Sequence, residues 1–156
     1  MKMLDFLNPK AISVDLKSKN KKEVIKELLD LLISSGAIKK NNKDGIFKSL
    51  LERETLGSTG IGQSIGIPHG KTALTKKLVA AFGISKSGVD FDSLDGEPAH
   101  IFFLLLAPQE SAGPHLKALA RISKLLKDKY FRDQLMAAEN TKDIIRIIER
   151  EDSSKH

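Results

Sequence analysis

The chain has no cysteine, no tryptophan and a single tyrosine. Without thiols, disulfides, thiolate metal centres and cysteine nucleophiles are excluded, and a reducing compartment is consistent with that lack. Scarce tyrosine and tryptophan leave few rings for stacking bases, although seven phenylalanines are present. A formal charge of +6 therefore does not make the chain a nucleic-acid binder. The lysines fall in short runs among acidic residues (Lys21-Lys22, Lys39-Lys40, Lys76-Lys77), as on a solvated surface. Such an excess would instead help to capture an acidic protein partner. Long apolar runs are missing too. The longest, Ile101 to Ala107, is far too short to span a bilayer. MKMLDFLNP at the N-terminus is too poor in apolar residues to read as a signal peptide. The expectation is a cytoplasmic protein without stable membrane insertion and without a nucleic-acid partner.

What is present suits one globular domain. The chain has 156 residues, 40% hydrophobic and 29% charged, enough for a single core. The reading is one domain over residues 1–150 and a disordered tail over 151–156. Ala11 to Leu16 alternates like a half-buried strand. Asn20 with Glu23 predicts a capped helix whose inward stripe is Val24, Leu28, Leu31 and Leu32, closed by Gly36. A second helix from Asn42 or Lys43 buries Ile46, Phe47, Leu50 and Leu51 and ends near Leu56-Gly57. Leu78 to Ile84 and Val89 to Phe91 predict two strands around a turn at Ser85–Gly88. His100 to Leu106 reads as a central strand covered on both faces. Helices are expected over His115–Lys127, Phe131–Ala137 and Thr141–Arg150. The predicted class is α/β (α+β), a mixed sheet with helices on both faces.

Between the second helix and these strands lies GIGQSIGIPHGKT, residues 60–72, which spells three possible sites. Gly62-Gln-Ser-Ile-Gly66 matches a hydrolase elbow, but Ser64 is followed by Gly66 and Pro68 where a helix should start, which leaves a serine hydrolase a remote alternative. Gly66 to Thr72 is nearly a P-loop, but Ile65 stands where its first glycine belongs and Pro68 removes an amide. The third site is His69, set between Pro68, which fixes the backbone, and Gly70, which would allow an unusual dihedral or a close approach. A neutral imidazole there can attack phosphorus without a separate base. Equally, it can simply fill a turn.

Two residues bear on that choice. Arg53 prolongs the inward stripe Ile46–Leu50, while Glu54 extends the parallel line Phe47–Leu51. Spacing does not choose between them; phosphate chemistry favours the guanidinium, and the competing reading is a cation satisfying the last helix carbonyls. His115 stands in register with Leu119, Ile122 and Leu126 in the first turn of its helix, where the positive helix end should keep it neutral. A satisfied core histidine is the alternative. His100 and His156 read as structural or incidental, and no histidine spacing suggests a metal site.

GSTGIGQSIGIPHGK, from Gly57 to Lys71, resembles the phosphorylation-site signature of the fructose/mannitol-type enzyme IIA domains of the bacterial phosphoenolpyruvate:sugar phosphotransferase system. Leu51-Glu-Arg-Glu54 and His115-Leu-Lys-Ala-Leu119 are similar to two further segments of that family. The single-domain form with GSTGIG most resembles the nitrogen-related regulatory subgroup. Gln63-Ser64 and Gly66 depart from the Asn-Gly and Ala that members often carry. The resemblance implies a mixed, roughly five-stranded sheet flanked by helices. It implies His69 as phosphoryl acceptor, Arg53 as the phosphate-neutralising side chain and His115 as the supporting imidazole. An HPr-like phosphocarrier, or its nitrogen-branch counterpart, would be the donor. An enzyme IIB, or a regulated target, would be the next partner. No cofactor or metal is implied.

Overall fold

The computed structural model describes residues 1–154. Its elements in order are β1 (Leu7–Ser13), α1 (Lys21–Ser34), α2 (Lys43–Thr55), β2 (Gly60–Gly62), β3 (Ile65–Gly66), β4 (His69–Thr72), β5 (Val79–Val89), β6 (Ala99–Pro108), α3 (Ala112–Leu126), α4 (Lys129–Ala137) and α5 (Thr141–Ser154). The strands form one sheet in the order β1-β5-β6-β3-β2, with β4 also paired to β6. β1 runs parallel to β5, β5 antiparallel to β6, and β3 and β4 parallel to β6. The sheet is therefore mixed, with six short or long strands where about five were expected.

β6 organises the core, because its side chains alternate between two apolar layers. Ile101, Phe103 and Leu105 pack under α3, α4 and α5. Phe102, Leu104 and Leu106 pack under α1 and α2. Both faces are covered, as the unbroken apolar run predicts. α1 begins as its cap dictates, with the Glu23 amide donating to the Asn20 side chain at 2.9 Å.

Four boundaries differ from the sequence reading, each for a tertiary reason. β1 starts at Leu7 and includes Pro9, which an edge strand tolerates because no partner needs that amide. The two strands expected around Ser85–Gly88 are one strand, β5, whose register shifts between Ile84 and Val89. α3 starts at Ala112, so Pro114 lies inside its first turn, where a missing N–H costs nothing. Residues 151–154 of the expected tail are helical: α5 runs to Ser154 with Glu151 and Asp152 buried. Arg121 donates to an Asp152 carboxylate oxygen at 2.9 Å and the Met3 amide donates to the other at 2.7 Å, so the terminus is tied down. Lys155 and His156, the rest of that tail, lie outside the described residues. Among those described, no helix is long and apolar enough to cross a membrane.

Candidate functional site

β3 and β4 lie end to end along β6, pairing Ile65 with Ile101 and His69 with Leu105. Pro68 forms the break between them, and its carbonyl accepts the Leu105 amide at 3.0 Å. Ile67 instead donates to the Thr59 carbonyl at 3.0 Å. His69 is thus the first residue of a resumed strand. Because it pairs with Leu105, its side chain faces the α3 layer, and Gly70, paired with Leu106, faces α2.

The His69 ring is fixed by its neighbour. Its Nδ1 lies 2.7 Å from the Ile67 carbonyl oxygen. A carbonyl can only accept, so Nδ1 carries the proton and Nε2 holds the free lone pair. Burial holds the imidazole below its usual pKa, and the Arg53 charge acts the same way; the Ile67 carbonyl and Glu54 pull upward but do not win. The neutral, nucleophilic form is favoured.

Three other polar side chains share an open cleft of about 330 Å³ with His69: Arg53 from α2, His115 from α3 and Lys71 from β4. The two imidazoles meet edge to face, centroids 5.5 Å apart. His115 is buried, and burial, His69 and Lys71 in that order hold its pKa down. Its Nδ1 has no hydrogen-bond partner among the described residues. It is therefore not a satisfied core histidine, and a buried polar atom left unpaired needs a reason. Ala112, also in the cleft, and Gly113 carry amides with no intrahelical acceptor, whereas the His115 amide already donates to Ser111.

Arg53 and Glu54 both turn inward, to different ends. Arg53 donates from Nη1 to the Gly57 carbonyl at 2.8 Å and stands in the cleft, so the helix-end contact and the cleft position coexist. Glu54 accepts from the Thr59 amide at 3.1 Å and from its hydroxyl, and pairs with Lys21 at 2.7 Å. Sequence spacing could not separate the two. Lys71 was missed altogether, although it lies two residues beyond His69 in a strand and so on its face.

The two competing motifs lack the surroundings that their chemistry needs. Ser64 sits in the β2–β3 hairpin turn at φ 70°, in a hollow whose lining includes Gln63, Lys129 and Arg132 but no histidine. Lys71-Thr72 continues a strand rather than opening a P-loop helix. His100 packs its Nε2 against Gly88, away from the cleft. One expectation is corrected: Gly70 needs no special dihedral, for its φ is not positive and an added Cβ would meet only Leu50, at an ordinary 3.7 Å.

Residues 5–151 match the family described as "Phosphoenolpyruvate-dependent sugar phosphotransferase system, EIIA 2". Over 148 residues the chain is 36% identical to a nitrogen regulatory protein of Bradyrhizobium diazoefficiens, covering 95% of each. It is 42% identical over 152 residues to a fructose-specific EIIABC component of Bacillus subtilis, but spans only 24% of that protein's length against 97% of its own. Its fold superposes on the crystal structure of nitrogen regulatory protein IIA-Ntr from Neisseria meningitidis with a TM-score of 0.83 and 32% identity, covering 92% of this chain and 97% of that one. The fold of Escherichia coli IIA mannitol gives 0.74 at 20% identity, covering 89% and 96%.

Proposed function

Because the chain belongs to the EIIA 2 family, whose members transfer phosphoryl groups through a phosphohistidine, we propose that His69 is its phosphoryl acceptor. One observation carries this reading. The Ile67 carbonyl holds the proton on Nδ1 and leaves Nε2 free in a cleft with Arg53, His115 and Lys71.

The step forms a bond from Nε2 to phosphorus as the bond from phosphorus to the donor's histidine nitrogen breaks. The donor imidazole leaves with the electron pair of that bond. Nδ1 keeps its proton throughout, so no separate base is required. The PO3 group carries its charge on the equatorial oxygens, and transfer asks mainly for positioning and charge stabilisation. Arg53 supplies a guanidinium with donors beyond the one engaged by Gly57. His115 supplies an imidazole at the cleft, edge to face with His69. Leu116, exposed at the rim, and Leu119 give the cleft an apolar border on which a protein partner can dock. The donor in this reading is a phosphohistidine carrier of the HPr kind, and the setting is the cytoplasm.

The fate of the phosphoryl group on His69 divides a relay from a switch. We place the regulatory switch first: relatives matched along their length are named nitrogen regulatory proteins, and the fold agrees better with such a protein than with IIA mannitol. In that role, phosphate on His69 changes which surface a target protein meets. The relay to an enzyme IIB remains the second reading, favoured by the identity to the fructose component.

The test is incubation with phosphoenolpyruvate, enzyme I and HPr, followed by intact-mass measurement. One phosphoryl group is expected on the wild type and none on His69→Ala; uptake by a folded His69→Ala protein would remove the acceptor assignment. Arg53→Ala should slow transfer by about 10²-fold, as for loss of one charge-stabilising donor. Adding a fructose-type enzyme IIB to the phosphoprotein separates the roles, since rapid loss of phosphate to it would favour the relay.

A further inference from the structure

Arg53 and Glu54 are adjacent at the end of α2, and both charges act on the His69 imidazole, with opposite sign. Here they do not pair. Arg53 takes part in no ion pair among the described residues and donates to a backbone carbonyl instead. The carboxylate is held elsewhere, by Lys21 Nζ at 2.7 Å and by the amide and hydroxyl of Thr59. The side chains of Lys21 and Glu54 are only 18% and 7% exposed, so solvent screens this pair weakly.

Lys21 is an unexpected residue at its position. It is the first residue of α1, where the helix dipole opposes a cation. Its neighbour Lys22 stays exposed, whereas the Lys21 side chain turns inward. Its Nζ lies 4.9 Å from the centre of the Phe91 ring and 3.5 Å from Asp92. It also donates to the Ser58 hydroxyl at 3.3 Å, which in turn donates to the Phe91 carbonyl at 2.7 Å. Ser58 follows Gly57, whose carbonyl holds Arg53. One ammonium thus fixes both the carboxylate beside the guanidinium and the loop on which the guanidinium leans.

We infer that Lys21 is a positioning residue that keeps Glu54 off Arg53, so that the guanidinium charge stays available to an anion at His69. The inference rests on His69 being the phosphoryl acceptor. It assigns a role at the site to a residue far from it in sequence, which touches neither the imidazole nor the cleft.

The experiment compares single-turnover phosphorylation by phospho-HPr, at varied donor concentration, in wild type, Lys21→Met, Lys21→Arg, Lys22→Met, Glu54→Gln and the Lys21→Met/Glu54→Gln double variant. Circular dichroism and amide spectra confirm that each is folded. Lys21→Met should lower the maximal rate about tenfold with little change in half-saturating donor concentration. Lys21→Arg should restore most of it, and Lys22→Met should match wild type. The double variant should be faster than Lys21→Met alone, because no carboxylate is left to swing onto Arg53. A double variant as slow as Lys21→Met, or a folded Lys21→Met at the wild-type rate, would overturn the inference.

A donor-free measurement keeps this separate from the acceptor assignment. The His69 imidazole faces Arg53 and Glu54 at the end of α2 and His115 on α3, with Lys71 beside it on β4. Followed by NMR in unphosphorylated protein, it should titrate higher in Lys21→Met than in wild type, since Glu54 then cancels the Arg53 charge. The double variant should return it downward. An unchanged titration would overturn the inference even if His69 is the acceptor. If His69→Ala still accepts phosphate, the acceptor assignment falls and this titration still decides what Lys21 does to Arg53.

Discussion

The corner at Gly62–Ser64 and the corner at Ile67–Gly70 lie a few residues apart on one glycine-rich segment, yet the backbone treats them differently. The first is a two-residue hairpin loop closed by Gly62 and Ile65, with φ 56° at Gln63 and 70° at Ser64. Positive φ at both central residues is the mark of a type I′ turn. The second corner has no left-handed residue at all. Pro68 sets its direction, and β4 resumes pairing with β6 at once. Strain therefore sits at the corner that only turns the chain, while the candidate chemistry sits on relaxed strand backbone. Positioning is the reason. An imidazole set by strand register, its ring fixed by the Ile67 carbonyl, is held more rigidly than one on a loop tip.

The substitution that should break this arrangement most is Gly66→Ala, between the two corners. A Cβ there would lie 2.9 Å from two carbons of the Phe102 ring and 3.2 Å from Phe91. Both rings are buried and packed against each other at 5.1 Å, so neither can retreat cheaply. Overpacking of this kind should cost about 1–3 kcal/mol, read by chemical denaturation. A cost near zero would mean that the segment can slide along β6, and that strand register does not hold His69 firmly.

Next in size is the effect of acid on the second corner. Both His69 and His115 have folded pKa values below the ordinary 6.5. Between those values and 6.5 the unfolded chain binds more protons than the folded one, so stability rises with pH across that window. The stabilisation is fully present above about pH 6.5 and is lost as pH falls toward the folded values. Phosphoryl acceptance should follow the same imidazole, with the acid limb of its rate displaced below that of a free histidine. A limb at or above 6.5 would show that burial and Arg53 do not set the protonation of His69.

Ser64→Gly should sharpen the contrast from the first corner. A left-handed φ costs an L-residue about 1–2 kcal/mol, and glycine gives back about 0.5–1 kcal/mol through the entropy of the unfolded chain. The net expectation is a stabilisation of about 0.5–1 kcal/mol with phosphorylation unchanged. Gln63→Asn should add less. The Asn-Gly dipeptide implied by the family resemblance is the sequence a type I′ turn prefers, so Gln63-Ser64 is a locally unfavourable choice here. Loss of phosphorylation in a stabilised Ser64→Gly protein would tie the hairpin to the site after all.

Much of this was legible because it is local. The α1 cap, the apolar β6 and the His69 corner each declare themselves within a few residues, by a capping pair, an unbroken run or a proline–glycine bracket. The inward direction of Arg53 and His115 followed from helical spacing. The features that were not legible depend on partners distant in sequence. Glu54 and Arg53 shared one spacing argument until Lys21 and Thr59 claimed the carboxylate. Glu151 and Asp152 read as a polar tail because Arg121 and the Met3 amide, which make Asp152 a buried anchor, are far away in the chain. The tautomer of His69 hangs on a carbonyl direction that no side-chain pattern encodes.

The smallest expected effect is the most pointed test of which corner needs its glycine. The bracket Pro68-His69-Gly70 invites the view that Gly70 serves through its freedom, yet its φ lies outside the left-handed region. A Cβ at Gly70 would point toward α2 and meet only Leu50, at 3.7 Å, while His69 points to the α3 side. Removing a strand glycine also lowers the entropy of the unfolded chain, worth about 0.5–1 kcal/mol in favour of folding. Gly70→Ala should therefore be neutral or slightly stabilising, with phosphorylation within about twofold of wild type. The informative failure is a folded Gly70→Ala protein that no longer accepts phosphate. It would mean that the incoming group or its carrier must approach the strand backbone itself, more closely than a methyl group allows, and that the relaxed corner is kept bare for the donor rather than for the fold.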